Sequence, residues 1–504
     1  MNWGGAYVTD VPYVPGYFRA QAPQHLALAC LLGGVAPPFS AGSEDGLHYL
    51  ELGCGQGFGA LALAAGNRGW RVTGVDFNPA HVAAARAFAA EAGVDNATFV
   101  EADLATLAED DAARAIAPAD VVSLHGVWSW VPPETRAGIV RLLRAKVRPG
   151  GLVHLSYNAL PAWQGALGMQ RMIREAGKRS AARSDRQALA GLDAARALAE
   201  AGGERLREAA VSRGVLEQAA ALPAEYLAHE YMNASWSPCF HADVAEALSG
   251  AKLDWVASAN LLENFAALAL SDAERAVMDR FDDPVMRELV KDMCLARGLR
   301  NDVFVRGPAR LDPTERDRVL GEMHLALLRP AERVEYEAEL PVGTAALERA
   351  FYGPIVAALD AGPRPVRALL TLPDVVGRRD NPAELAGILA GTDQAMPVAA
   401  PPGAPDPRAV RFNRAAARRF VRPDDLKRRL ALAGAGLGGA LPCQALDLYV
   451  CARLHADPAP DPDAWADELA EGRDPAERDR LHVFLQRMVR ERVPVWRRLG
   501  VLSP

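Results

Sequence analysis

Residues 48–57 read His-Tyr-Leu-Glu-Leu-Gly-Cys-Gly-Gln-Gly. A short apolar run with strand character enters a turn in which Gly53, Gly55 and Gly57 alternate with Cys54 and Gln56. The helical stretch FGALALAAGN follows directly. Glycines at this junction let a backbone approach a ligand, and the next helix offers free N–H groups. Outward from this turn the pattern repeats. Strands are expected at Trp70–Val75, Thr98–Glu101, Asp120–Leu124 and Leu152–Tyr157, with helices at Pro79–Ala92 and near Glu134–Lys146. Alternation of this kind implies right-handed crossovers and a parallel sheet with helices on both faces. The fold class is α/β, with a Rossmann-like sheet.

The carboxylates choose between ligands. A dinucleotide fingerprint spaces its glycines as GxGxxG, whereas the third glycine here, Gly57, comes one residue early. Glu51, at the end of the first strand, would repel a pyrophosphate but suits the amino group of an amino-acid-like ligand. Asp76 ends the second strand, where a carboxylate can grip both ribose hydroxyls, and Asp103 follows the third, within reach of an adenine amino group. Three acids in register with successive strands favour S-adenosylmethionine (SAM) over NAD.

These segments resemble the class I SAM-dependent methyltransferases: ELGCGQG their first motif, VDFNP their second, EADL the adenine-side motif, and RPGG with the next strand the end of the core. Four more stretches narrow the likeness: Tyr13–His25, His125–Pro132 (HGVWSWVP), Ser156–Trp163 (SYNALPAW) and Tyr226–Trp236 (YLAHEYMNASW). They resemble the bacterial methyltransferases with a methyltransferase regulatory domain, a group that includes protein-lysine methyltransferases. The resemblance implies SAM contacts from Gly53, Cys54, Gly55 and Gly57, from Asp76 and Phe77, and from Asp103 and Leu104. It also implies a helical insertion that can serve in dimerisation and a C-terminal module like a winged helix.

The division expected is a first part of the SAM-binding core at 1–165, a helical insertion at 166–222, a regulatory segment completing the sheet at 223–308, and a C-terminal, mostly helical region at 309–504. Strand-like runs at Leu253–Ser258 and Asp302–Arg306 supply the completion. Further on, Val334–Leu340 alternates as a half-buried strand, a helix is expected at Ala345–Ala358, and Pro397–Pro407 reads as a linker or stiff surface loop. A core built from the strands alone should bind SAM without residues 311–504.

His125 stands directly after the fourth strand, at the edge where open α/β sheets bind ligands, and is the first candidate for a group beside the transferring methyl. Trp128 and Tyr157, with Trp130, Trp163 and Trp236, can wall an aromatic slot around a cationic amine or the sulfonium. Tyr13 and Gln21 can fold over the cofactor as a lid. The run His229-Glu230-Tyr231 lacks HExxH spacing, so no metal site is expected.

Composition narrows the partners. Of 504 residues, 56 are Lys or Arg and 63 Asp or Glu, a net charge of -7, so bulk attraction to a polyanion is excluded. Between Pro405 and Leu430 there are nine basic and three acidic residues. On helix-like segments this reads as a solvated face ahead of a nucleic-acid site. The Asn/Asp-Pro-Pro-aromatic motif of adenine and glutamine methyltransferases is absent after the fourth strand. Six scattered cysteines without CxxC spacing point to free thiols. With no basic start leading into an apolar run, and no apolar stretch near the ~20 residues of a membrane span, a cytoplasmic location is expected. The acceptor stays open: a protein lysine ranks first, a small molecule or natural product second, and a catalytically silent SAM-binding regulator third.

Overall fold

The computed structural model describes residues 7–39, 46–208, 210–219, 222–340, 342–401, 403–472 and 474–503. At its centre is a seven-stranded sheet of β1 (His48–Leu52), β2 (Arg71–Asp76), β3 (Ala97–Glu101), β4 (Ala119–Leu124), β5 (Val147–Asn158), β6 (Leu253–Ser258) and β7 (Leu299–Arg306). The spatial order is β3-β2-β1-β4-β5-β7-β6. All neighbours up to β5 run parallel, and β7 is antiparallel to both β5 and β6. Every residue of β1 is buried, as expected of a strand covered by helices on both faces. The order reverses between β1 and β4, and at such a switch point the strands' carboxyl ends open a crevice.

Five helices belong to this core: α1 (Pro23–Leu32), α2 (Phe58–Gly66), α3 (Pro79–Ala92), α4 (Asp111–Ala115) and α5 (Pro133–Lys146). Asn78 caps α3 through a hydrogen bond from Ala80 N, Pro79 opens its first turn, and Gly93 ends it in the left-handed region. Those punctuation residues are why its bounds are readable in the sequence. The stretch after β5 is helical as expected, including Leu167–Gly177 and Ser184–Glu200, and β6 and β7 then complete the sheet.

The C-terminal region departs from the sequence reading. The half-buried strand expected at Val334–Leu340 shrinks to Glu337–Leu340, paired with Gly343–Ala346, and the helix expected from Ala345 starts at Arg349. Part of the expected linker is structure, because Ala395–Val398 forms a buried strand against His324–Leu327. Helix Arg349–Asp360, strand Arg364–Pro365, helices Val366–Leu370 and Pro382–Gly391 and strand Ala395–Val398 follow one another in winged-helix-like order.

Nor is the region separable from the core. Helix Pro407–Phe420 lays Ala409, Phe412, Ala416 and Phe420 on α2 and α3, where Phe412 and Phe420 meet Phe58 and Phe88. Its arginines are largely the solvated face expected, with Arg411, Arg414 and Arg418 exposed, but Arg408 is buried and reaches Asp95 at 3.2 Å, and Arg418 reaches Glu91 at 3.0 Å. One continuous apolar cluster runs from Tyr17 through Phe58 and Phe412 to Leu502.

Candidate active site

The glycine turn has the conformation its composition demands. Gly53 and Gly57 have φ of 77° and 74°, where a side chain is strained. A Cβ at Gly57 would also lie 2.7 Å from Phe99, and one at Gly53 would lie 2.4 Å from Val127. No larger residue fits either position unless the Val127 or Phe99 side chain shifts. The Cys54 thiol packs inward beside Gly74, so what this residue offers a ligand is backbone.

Asp76, 6% exposed, braces this turn. Its carboxylate accepts from Gly55 N at 2.8 Å and from Asn78 N at 2.9 Å, with His81 Nδ1 at 3.3 Å. A carboxylate has about four lone-pair directions, so one remains for a ribose hydroxyl, and a second where His81 Nδ1 carries no proton. Phe77 is half-buried beside it, with the Tyr7 ring edge-on at 5.7 Å. Asp103 is exposed at the end of β3 and accepts from Ala105 N at 2.8 Å. The Leu104 side chain is 7% exposed and belongs to the core under α5, so what this residue offers a ligand is backbone.

Glu51 is 8% exposed. Its Oε1 accepts from Gln21 Nε2 at 3.0 Å, while Oε2 has no hydrogen-bond partner among the described residues. Burial pushes its pKa up to about 7, and the charge of Asp76 adds to the rise. A buried carboxylate oxygen without a donor, at the carboxyl end of the central strand, fits an ammonium group. Together with the glycine turn, Asp76 and Asp103, it meets the requirements of SAM on the sheet's own geometry.

An N-terminal strap lies over this edge. Gln56 donates to Tyr13 O at 2.8 Å, Val8 N donates to Asn233 Oδ1 at 2.8 Å, and His229 Nε2 lies 3.0 Å from Val11 O. The Tyr13 ring stands edge-on to His229 at 5.0 Å. The strap is thus held between the glycine turn and helix Ala224–Tyr231. Farther along it, Phe18 stacks on His125, with 3.8 Å between ring centroids. His125 is half-buried, and burial together with the adjacent His154 lowers its pKa to about 3. The ring at the end of β4 is therefore a neutral imidazole at ordinary pH.

The aromatic slot is not assembled as expected. Tyr157 is fully buried, and its hydroxyl donates to Asp302 at 2.5 Å in a sealed network with His241 and Arg300. It supports the edge from below rather than lining it, because β5 turns this position toward the α5 side of the sheet. Trp128 is 2% exposed and carries Arg136 over its ring at 5.6 Å. It does line a groove of about 500 Å³ with Pro133, Cys239, Asp243 and Val244. Trp163 and Trp236 meet edge-to-face at 5.4 Å beyond the end of β5. No group of three or more metal-ligating residues occurs among the described residues.

Residues 50–151 match the family described as "Methyltransferase domain", and residues 223–306 match "Predicted methyltransferase regulatory domain". The protein sll1526 of Synechocystis sp. is 33% identical over 363 residues, 72% of this chain and 70% of that one.

The chain belongs to the class I SAM-dependent methyltransferases that carry a methyltransferase regulatory domain. Its cofactor is SAM. RP028 of Rickettsia prowazekii is another relative of this methyltransferase, 30% identical over 33% of the present chain and 61% of its own. Among solved structures, PKMT2 from Rickettsia typhi in complex with AdoHcy superposes with a TM-score of 0.69 at 16% identity, covering 97% of this chain and 99% of that one. At that identity the likeness is one of fold, and it extends through the insertion and the C-terminal region of the methyltransferase.

Sequence reasoning missed Phe18, Ser123 and His154. A signal existed for the last of these: in Leu-Val-His-Leu-Ser-Tyr (152–157), polar residues recur at every second position of a strand that has to be buried.

Proposed function

We propose that the methyl acceptor is a lysine side chain of a protein. The observation that carries this reading is the whole-chain layout shared with PKMT2, a protein lysine methyltransferase, with insertion, regulatory segment and C-terminal region all packed around one methyltransferase sheet. A small acceptor would need only a pocket with a few polar groups, whereas a protein acceptor calls for extended surface near the crevice.

SAM supplies an electrophilic methyl on a sulfonium, and the amine displaces it in line, forming C–N as C–S breaks. In this reading Glu51 Oε2 takes the ammonium of the cofactor, Asp76 the ribose hydroxyls and Asp103 the adenine amino group. Only about one lysine amine in 2,500 is neutral at pH 7. The uncharged His125 and the Phe18 ring make the end of β4 apolar, which favours the neutral amine and removes the need for a strong base. The proton leaves to water once the bond has formed.

The groove of about 500 Å³ at Trp128 favours a second reading, a small-molecule acceptor. Tritium transfer from labelled SAM to proteins of a bacterial lysate, with peptide mapping for methyl-lysine, separates the two. Label in protein lysines supports the first; label confined to low-molecular-weight material overturns it. No helix among the described residues is long and apolar enough to cross a membrane.

A further inference from the structure

A row of buried polar side chains crosses one face of the sheet beneath the crevice. The register sets Glu51 opposite Ser123 on β1 and β4, and Ser123 opposite His154 on β4 and β5. Asn301 extends the row from β7. Their exposures are 8%, 0%, 0% and 8%, so water does not complete their hydrogen bonds. Apart from Glu51 Oε2, they bond to one another. Gln21 Nε2 lies 3.0 Å from Glu51 Oε1 and 3.1 Å from Ser123 Oγ. Ser123 Oγ lies 3.0 Å from His154 Nδ1, His154 Nε2 lies 3.2 Å from Asn301 Oδ1, and Asn301 Nδ2 lies 3.3 Å from Asn260 Oδ1.

Donor and acceptor counting gives this row a direction. A carboxylate only accepts, so Gln21 must turn its NH₂ toward Glu51, and the second hydrogen of that group then goes to Ser123 Oγ. The Ser123 hydroxyl has one proton, and His154 Nδ1 is left to receive it. Burial lowers the His154 pKa to about 4, so the ring is neutral and its proton sits on Nε2, facing Asn301 Oδ1. Were the His154 link reversed, Nδ1–H and Gln21 Nε2 would both donate to Ser123 Oγ, and the Ser123 proton would lose its acceptor in the row.

We propose that His154 is a positioning residue for the cofactor: held in its Nε2–H form by Asn301, it orders Ser123 and Gln21 so that Glu51 keeps one carboxylate oxygen free for the ammonium group of SAM. Asn301 and Asn260 both lie within residues 223–306, so the regulatory segment sets the state of the cofactor site without touching the cofactor. The proposal rests on Glu51 as the ammonium partner.

The test begins with the full-length protein, labelled with ¹⁵N. Long-range ¹H–¹⁵N correlation, with His154 assigned by its loss in His154→Gln, should show Nε2 protonated and Nδ1 bare at pH 7. A proton on Nδ1, or on both nitrogens, of the wild-type ring overturns the proposal. In Asn301→Leu the ring should shift toward the Nδ1–H form, and the dissociation constant of S-adenosylhomocysteine by calorimetry should rise about tenfold, which is about 1.4 kcal/mol. An unchanged constant overturns the proposal, whether or not the tautomer moves. Glu51→Gln is the control on the underlying assignment: wild-type affinity there shows that Glu51 does not hold the ammonium and removes the basis of the coupling.

Discussion

The ring of Phe412 lies 5.4 Å from that of Phe88, centroid to centroid, although 324 positions separate them in the chain. The contact covers the outer face of α2 and α3, the two helices that follow the glycine turn and Asp76. Truncating a buried phenylalanine costs about 3–5 kcal/mol. Phe412→Ala should therefore lower the unfolding free energy by that amount, read as a lower urea midpoint in a single unfolding transition. A chain ending at residue 310 should lose cooperative unfolding and S-adenosylhomocysteine binding together. This reverses the expectation from the strands alone that the core binds SAM unaided.

Cofactor affinity should depend on pH through Glu51. Its carboxyl is raised to about 7 by burial, and an ammonium partner stabilises only the ionised form. Binding then releases a proton below pH 7. Affinity should be flat above that value and fall about tenfold for each unit below it. Calorimetry at pH 6 and pH 8, in buffers of different ionisation enthalpy, measures both the slope and the released proton. For the fold alone the sign is opposite: the unfolded carboxyl ionises first, so the contribution of Glu51 to stability declines between about pH 4.5 and 7.

Phe18→Ala should open the His125 ring to water. Burial is the main reason this ring titrates at about 3, so its pKa should climb toward the ordinary ~6.5. NMR titration of the His125 ring should show no protonation above pH 5 in the wild type and a midpoint near 6 in the variant. The new positive charge would face the sulfonium, so turnover of the variant should fall as pH drops through that midpoint.

Asp76→Ala should weaken S-adenosylhomocysteine binding by about 2–3 kcal/mol, because it removes the charge-assisted contacts to the ribose. The carboxylate also holds Gly55 N and Asn78 N. Asp76→Asn, which keeps one oxygen for the turn, should lose less. Calorimetry on the pair separates loss of the ligand contact from loosening of the turn.

Arg300 lies 1% exposed between Asp302, Asp292 and Glu288. Burial alone would raise Glu288, but Lys291, Arg300 and Arg297 outweigh it and hold its pKa at about 2; Asp302 is likewise depressed, by Arg300 and His241. Depressed carboxylates lend full stability above their unfolded pKa of about 4 and lose it as pH falls toward 2. Removing one partner of a buried ion pair costs about 3–5 kcal/mol, so Arg300→Met should unfold at lower urea and lose most of the steep acid limb of the wild type. Urea midpoints measured between pH 7 and pH 3 give both quantities.

What the sequence made legible was local. The caps at Asn78 and Gly93 delimit α3, and the strand ends place Glu51, Asp76 and His125 at one edge, because period and punctuation act over a few residues. Pairings between distant segments left no such mark. Nothing near Phe18 announces that it will lie on His125, and Tyr157 looked like a slot residue until the register of β5 turned it away from the crevice. The arginines of Pro407–Phe420 drew attention to charge, while Ala409, Phe412, Ala416 and Phe420, at helical spacing, marked the face that packs.

Because β7 inserts between β5 and β6, the sheet has no finished edge when β5 leaves the ribosome. Residues up to Arg306 have to emerge before that edge is closed, and up to Phe420 before α2 and α3 are covered. At roughly 5–20 residues per second, the interval from Asn158 to Phe420 lasts on the order of 13–50 s. Until Arg306 emerges the nascent chain exposes the outer edge of β5, and until Phe420 emerges the rings of Phe58 and Phe88, two aggregation-prone surfaces that chaperones can cover during synthesis.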